Sequence, residues 1–340
     1  MRRFFIHISI DDTNEYIHNF QKLLDVLSFD EKTTYEITID VSNLKKLNTD
    51  VILELVKAEQ EYGKAHKAIF KNTLSCQYYQ LDRKVVRCIL RHGLDVLIQY
   101  CGKIEKNKQL EKTIRKLQKK YIPHYLNVKC SPEDIYSNYE NLKTTTCAFE
   151  IEDAIASDLD LVKEFDAWCM QENNCHTFKI FEDILYRLLL GYTHRDCRHS
   201  SCLGKRVCMK SNGELYFCHS YDKNTYLKNI SEVKGFSDIY ESKFFGSTLL
   251  TSLEKRNKCV ECDNFAVCQS GCPLSSLNKS NECNETRYCE LIQHIAKYLH
   301  EKLDVKHELP QNPIIRRIVL VSVAYKGKLE INAFNKEVIK

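Results

Sequence analysis

No window of the 340-residue chain approaches the roughly 18 uninterrupted apolar residues that a membrane-spanning helix needs, so no such helix is expected. No export signal is expected either. The N-terminal MRRFFIHISIDDTNEY starts basic, but His7 breaks its apolar run, Asp11 and Asp12 close it, and no small-residue cleavage site follows. That stretch reads as a strand entering a fold, in a cytoplasmic protein. Charge of one sign is also scarce: 50 Lys and Arg against 46 Asp and Glu leave a net charge of +4. Neither a nucleic acid nor a membrane is therefore expected as partner. An apolar fraction of 43% in a chain this long can fill the cores of two domains, which excludes a disordered protein.

What the chain does have is seventeen cysteines. In a reducing compartment, cysteines in such number are metal ligands more often than disulfides. Before residue 175 they are scattered, and the pattern around them is one of alternation. Candidate strands at 4–10, 35–41, 67–71, 94–100, 122–128 and 146–151 are separated by amphipathic stretches. Tyr16, Phe20, Leu23, Leu24 and Leu27 share one helical face, as do Ile52, Leu55, Val56 and Glu59, the last with its stem packed down. Thr49 is placed to cap a helix that Gly63 ends, Gly93 ends the next, and Ser131-Pro132-Glu133 suits a helix start. About six βα units result, which predicts an α/β fold with a partial (β/α)6 barrel over 1–175. Functional groups of such folds lie at the C-terminal ends of strands. Those positions carry Asp11, Asp12, Ser42, Asn43, Asn72, Thr73, Cys101 and Cys130, with no metal-ligand spacing among them. Cys101 and Cys130 read as small buried thiols.

The lysine-dense stretch 103–120 has Leu110, Ile114, Leu117 and Tyr121 at helical spacing. Its charges form the opposite, solvated face, with binding of an acidic peptide as the alternative reading. A leucine-rich linker helix is expected over 176–200, a cysteine-rich domain over 201–305, and a β-hairpin tail about Lys326-Gly327 over 306–340. The cysteine-rich domain closes on a helix with Ile292, Ile295, Ala296 and Leu299 on one face.

Within that domain, CVECDNFAVCQSGC places Cys259, Cys262, Cys268 and Cys272 at C-x2-C-x5-C-x3-C, with Cys289 further on. Upstream, Cys202, Cys208 and Cys218 flank a Ser211-Asn212-Gly213 turn whose two arms predict a hairpin bringing Cys208 and Cys218 close across the strands. Eight thiolates suffice for two four-cysteine sites. Tetrahedral sulfur ligation suits both zinc and iron–sulfur clusters. Only Cys259 and Cys262 form a zinc-type knuckle, and the wider spacings suit a cubane cluster, though zinc stays open as the ion.

The run C-x10-G-x4-C (Cys202, Gly213, Cys218), then C-x2-C-x5-C-x3-C-P (Cys259 to Pro273) and a last cysteine resembles the SPASM domain of radical SAM peptide and protein maturases. Ser270 stands where that pattern commonly has glycine. The resemblance implies two auxiliary 4Fe-4S clusters with interleaved ligands: Cys202, Cys208, Cys218 and Cys272 for one, Cys259, Cys262, Cys268 and Cys289 for the other. Cys197 and Cys283 are unassigned neighbours. A radical SAM enzyme also needs C-x3-C-x2-C after the first strand, where three thiolates leave one iron open for S-adenosylmethionine. Here that loop reads DDTNEY, no C-x3-C-x2-C occurs in the chain, and DVSNL stands where the family places Gly-Gly-Glu-Pro. S-adenosylmethionine is therefore not expected as a cofactor, and no catalytic residue is assigned. The resemblance implies a cluster-bearing protein of ribosomal-peptide maturation, partnered by a precursor peptide and a separate modifying enzyme of radical SAM or ATP-grasp type. Two alternatives remain at this point: a radical SAM maturase with an unusual or partner-supplied cluster, and a zinc-stabilised binding module.

Overall fold

The structure, a computed structural model, describes residues 2–11, 16–27, 33–66, 68–101, 108–120, 124–130, 147–151, 160–170, 176–190, 203–219, 221, 223–262, 264–265, 286–301 and 311–326. In chain order its main elements are β1 (Arg2–Ser9), α1 (Tyr16–Val26), β2 (Thr33–Asp40), α2 (Thr49–Ala65), β3 (Ala68–Gln77), α3 (Arg83–His92), β4 (Asp95–Cys101), α4 (Lys108–Lys119) and β5 (His124–Cys130). There follow β6 (Cys147–Ile151), α5 (Leu161–Cys169), β7 (His176–Phe178), α6 (Lys179–Leu190), β8 (Arg206–Lys210), β9 (Glu214–Tyr216), β10 (Tyr226–Asn229), α7 (Phe236–Ile239), α8 (Lys243–Cys259), α9 (Thr286–Leu299) and α10 (Pro313–Lys326). Each expected strand of the first half is present to within about two residues at its ends, except that β3 runs to Gln77 and not to 71, which puts Asn72 and Thr73 inside the strand instead of at its end.

The chain divides into two compact units, the first comprising 1–100, 107–126 and 203–249. In it the strand order is β10-β9-β8-β1-β2-β3-β4. Pairing is parallel from β8 through β4 and antiparallel where β9 and β10 join. Parallel strands covered on both faces are usually apolar throughout. Here register separates two unlike faces. Ile6, Ile37 and Asn72 share one row, and Ile8, Ile39, Leu74 and Val96 another. This face meets α2, since the Asn72 amide bonds Glu59. The alternate residues, Phe5, His7, Ser9, Glu36, Thr38, Asp40 and Ser75, form a second and largely polar face.

Helix ends differ from expectation by one or two residues for identifiable reasons. Asn48, not Thr49, caps α2, its side chain accepting from the Asp50 N–H. The helix runs past Gly63 to Ala65 because the His66 N–H still bonds the Tyr62 carbonyl. Gly93 does end α3, in the left-handed conformation at φ 62°. Ser131-Pro132-Glu133 lies outside the described residues. In α4, Leu110, Ile114 and Leu117 are buried, Lys108, Lys112 and Lys119 are exposed, and Lys116 is half-buried, close to what the spacing predicts. Cys101 is exposed rather than buried, at the last position of β4.

In the second unit (101–106, 127–202, 250–340), β6 pairs with β7 in parallel. An aromatic core gathers Phe165 and Trp168 of α5, Phe178 and Phe181. Ile292, Ile295, Ala296 and Leu299 of α9 are buried together. Residues 176–200 were expected as a linker, yet α6 buries Phe181, Ile184, Leu185 and Leu188, and its Arg187 donates to the Tyr288 hydroxyl at 3.0 Å. The boundary at 175 is also revised, because residues 203–249 fold with the first strands and not with the later cysteines.

The expected C-terminal hairpin is a helix over Pro313–Lys326. Its β-branched run reads as strand, but Asn312 overrides that propensity. The Asn312 Oδ1 accepts from the Ile314 and Ile315 N–H groups, and its Nδ2 donates to the Trp168 carbonyl at 2.6 Å. Pro313 occupies the first helical position, where its missing N–H costs nothing. Ile314, Ile315, Ile318 and Val319 are then buried at helical spacing. Residues 327–340 lie outside the described residues.

Glu59 is buried more deeply than stem packing implies, at 3% exposure. Its Oε2 accepts from Asn72 Nδ2 at 2.6 Å, while Glu59 Oε1 and Asn72 Oδ1 have no partner. Burial pushes the carboxyl up to about 7, against the weaker opposing pull of the Asn72 amide. Between its ordinary value of 4.5 and 7 the folded chain therefore binds more protons than the unfolded one, and stability falls as pH rises through that window. Glu59→Gln supplies an uncharged amide donor in the same shape. It is expected to raise stability by about 2–3 kcal/mol near pH 8 and to change little near pH 5, read from thermal unfolding across pH.

Candidate functional site

The upstream cysteines sit on a hairpin whose turn is built by its own residues. Gly213 adopts φ +82° and its N–H bonds the Lys210 carbonyl at 2.9 Å; Asn212 Oδ1 accepts from the Glu214 N–H. Ser211 fastens the turn to the end of β1, its Oγ accepting from the Asp11 N–H at 2.9 Å and donating to the Ser9 carbonyl at 3.3 Å. Asn19 of α1 donates to the Ser211 carbonyl at 2.8 Å. The expected hairpin is thus present as β8 and β9, with β8 added in parallel to β1. Cys208 is fully buried, beside His7 along the sheet and opposite Tyr216 across the hairpin. Its cross-strand partner is therefore Tyr216, and Cys218 lies two residues further on, half-buried, its carbonyl accepting from the Tyr221 N–H.

Downstream, Cys259 is the last residue of α8. The Cys262 N–H bonds the Cys259 carbonyl at 2.9 Å, and the Phe265 N–H bonds the Cys262 carbonyl at 2.9 Å. Two successive tight turns follow the helix, the backbone a C-x2-C knuckle uses to aim two sulfurs at one metal. Cys262 is exposed, Cys259 half-buried, and Cys289 half-buried in the first turn of α9. All five of these thiols are free of disulfides. Cys202, Cys268 and Cys272, with Cys197 and Cys283, lie outside the described residues. Each expected four-cysteine set has at least one member there, and among the described residues no three His, Cys, Asp or Glu side chains converge as a metal site.

The donor set still separates into two populations. Cys76, Cys88 and Cys169 are buried, and desolvation pushes Cys76 and Cys169 up to about 12 and Cys88 upward too. None of these three belongs to an expected ligand set, and all three read as packing. The described members of the two expected sets are Cys208, fully buried, Cys218, Cys259 and Cys289, half-buried, and Cys262, exposed. The chemistry and turn geometry of the Cys259–Cys262 pair fit a thiolate-bound metal or cluster.

The polar face of the first unit holds a second constellation. Gln99 Nε2 donates to Ser75 Oγ at 3.1 Å, Ser75 Oγ donates to Asp40 Oδ1 at 3.3 Å, and the Ser42 N–H bonds the same oxygen at 3.0 Å. His7 Nε2 lies 3.8 Å from Asp40 Oδ2, beyond hydrogen-bond reach. Burial lowers His7 to about 4 despite Asp40, with Arg206 adding to the fall, so the ring is neutral at pH 7. Its ring stands 6.0 Å from that of His219 and 5.7 Å from that of Tyr221. Tyr221 takes a left-handed φ of 51°, and burial holds its phenol protonated. Beyond it, Lys210 bonds both Glu214 (3.2 Å) and the Tyr216 hydroxyl (2.9 Å), which in turn donates to Glu214 at 2.8 Å. These contacts raise the Lys210 ammonium and lower the Glu214 carboxyl. In the sequence His7 reads only as a break in an apolar run. The alternation FFIHIS and YEITID was the available signal, since every second residue of two parallel strands is polar or aromatic instead of aliphatic.

No family model matches the chain. It is 28% identical over 133 residues to the cysteine-type anaerobic sulfatase-maturating enzyme of Clostridium novyi (strain NT), a stretch covering 38% of this chain. The chain thus spans about a third, 35%, of the length of that curated relative. Solved structures are similar over nearly the whole chain. Native anSMEcpe with bound AdoMet has a TM-score of 0.63 at 13% identity, covering 94% of this chain and 100% of that one. A histidine-tagged form with bound AdoMet gives 0.64 at 14%, covering 96% and 100%, and the native form with AdoMet and the Kp18Cys peptide gives 0.62 at 15%, covering 94% and 99%. The fold is accordingly the mixed α/β fold of these proteins, with which a partial barrel is compatible.

Gly213 is the position where the hairpin tolerates least change. A Cβ there would lie 2.8 Å from Ile230 Cγ2 and 3.2 Å from the Asn19 side chain, on a backbone that favours glycine. Gly93 has a similar φ and nothing within 4 Å. Gly93→Ala is expected to cost about 1 kcal/mol and Gly213→Ala about 2–4 kcal/mol, compared by thermal or urea unfolding.

Proposed function

We propose that this chain is a cluster-bearing maturation protein whose barrel no longer performs S-adenosylmethionine chemistry and which serves a separate modifying enzyme of radical SAM or ATP-grasp type acting on a precursor peptide. The observation behind this reading is a contrast between two places in the fold. At the strand ends of the first unit, Asp11, Asp40, Ser42, Ser75 and Gln99 present carboxylate, hydroxyl and amide groups. On the hairpin and after α8, cysteines take up turns and helix ends suited to thiolate ligation. The SPASM-like spacing and the homology to a maturating enzyme support iron–sulfur clusters over zinc.

Cys202, Cys208, Cys218 and Cys272 would hold one 4Fe-4S cluster, and Cys259, Cys262, Cys268 and Cys289 the other. Bound there, such clusters supply one-electron transfer and bracing of a segment rich in loops. With four thiolates for each, no iron is left open to substrate, which favours electron relay or structural support over Lewis-acid chemistry. Peptide presentation is supported by the solved neighbour that holds a peptide on the same fold.

A second reading keeps radical chemistry, with the missing cluster in an unusual form or from a partner. It is favoured by one observation, the similarity of nearly the whole chain to proteins with bound AdoMet. Anaerobic purification and reconstitution are expected to give about eight iron and eight sulfide per chain, and Cys259→Ser or Cys218→Ser about four of each. Stoichiometric zinc without iron or sulfide would overturn the cluster assignment. Formation of 5′-deoxyadenosine from S-adenosylmethionine under dithionite would overturn the loss of radical chemistry.

A further inference from the structure

Helix α4 carries none of the cysteines assigned to the clusters. Over residues 108–120, KQLEKTIRKLQKK, there are six Lys and Arg and one Glu, a net of +5. The whole chain carries +4, so all its other residues together sum to −1. One helix therefore holds the entire positive excess. Its apolar side is occupied, since Leu110, Ile114 and Leu117 are at most 2% exposed. Lys108, Lys112, Arg115, Lys119 and Lys120 are exposed. Glu111 reaches Arg115 at 3.6 Å, and among the described residues no other carboxylate pairs with a cation of this helix.

Such an arrangement opposes helix formation. Lys108/Lys112, Lys112/Lys116, Arg115/Lys119 and Lys116/Lys120 are like-charged pairs four residues apart, each destabilising. The mixed charges on the surface of α2, where Lys57 pairs with Glu61, show the ordinary alternative. We propose that the exposed face of α4 docks an extended, Asp- and Glu-rich polypeptide segment of a partner.

Spacing supports this occupant. Successive cations of the row Lys108, Lys112, Lys116 and Lys120 rise about 6 Å along the helix axis. Alternate residues of an extended chain lie about 6.6–6.8 Å apart, so a segment with every second residue acidic matches the row nearly one for one. Nucleic acid fits less well, because α4 has no aromatic side chain for base stacking and the slightly negative remainder of the chain does not extend the field. Insertion as an interfacial helix needs a free apolar face, and that face is buried. The surface is independent of any bound metal.

The test uses the full chain, metal-free and iron-loaded, with a labelled peptide of about eight residues alternating Glu and Ser, long enough to span α4. Fluorescence anisotropy is expected to show binding equal in both forms and weakening with salt. The charge-reversed variant K108E/K112E/K119E should bind at least about tenfold more weakly with an unchanged circular dichroism spectrum, and K297E on α9 should bind as the parent does. Absence of salt-dependent peptide binding, equal binding by the reversed variant, or tighter binding of an equally charged single-stranded oligonucleotide or of phosphatidylserine vesicles would each overturn the proposal. Failure of reconstitution to load iron, with peptide binding kept, would leave this inference standing while the cluster assignment fell.

Discussion

The parallel pairing of β8 with β1 is the constraint from which the rest of the first unit follows. It joins residues about two hundred positions apart, and Ser211 fixes its register by bonding both the Ser9 carbonyl and the Asp11 N–H. Closing so long a loop carries an entropic cost that grows only slowly with length, so a few well-placed hydrogen bonds and the burial of Val207 and Met209 can sustain it. Once β8 is in place, β9 and β10 are added by local hairpin geometry. Cys208 is thereby buried beside His7, instead of standing in a separate cysteine-rich module. A domain boundary drawn where cysteines begin to cluster misses this, because composition changes at one point in the sequence and the sheet does not.

The two faces of this sheet follow different rules. The helix-side face is built of aliphatic, aromatic and sulfur-bearing side chains except at Asn72, and that exception is matched by Glu59 above it. A carboxyl so buried is tolerated because it can take a proton near neutral pH and needs no counter-ion. The opposite face collects His7, Asp40, Arg206, Lys210, Glu214 and Tyr216, whose mutual contacts replace the water they give up. His7 shows the limit of that replacement, since Asp40 is too distant to keep its ring charged against desolvation.

The strands, the helical faces and the hairpin turn were legible in the sequence because each rests on local periodicity or on a turn residue. Tyr16, Phe20 and Leu23 lie where a period of 3.6 puts them, and Gly213 takes the positive φ that Ser-Asn-Gly suggests. The tail was misread because its β-branched residues speak for strand while the decisive contact, Asn312 to the Trp168 carbonyl, spans 144 residues. The Thr49 and Asn48 ambiguity is of a smaller kind, as either residue can cap and only backbone geometry chooses. The hairpin that carries Cys208 and Cys218 was legible, but the partner of Cys208 across it was not, since register depends on where the turn closes. The polar face was overlooked for a different reason: it lies on residues that alternate with the core and carry no motif.

Those same residues bear on what holds the strand ends of the first unit in place. A strand end that relies on a metal for its integrity leaves ligands unpaired when the metal is absent, and unpaired buried groups are costly. Asp40 is not in that condition. One of its oxygens accepts from the Ser42 N–H and the Ser75 hydroxyl, and Ser75 in turn accepts from Gln99. The ends of β2, β3 and β4 are thus tied together by their own side chains, while β1 is tied to β8 through Ser211. A polar network of this kind can hold the strand ends in place through side-chain hydrogen bonds alone.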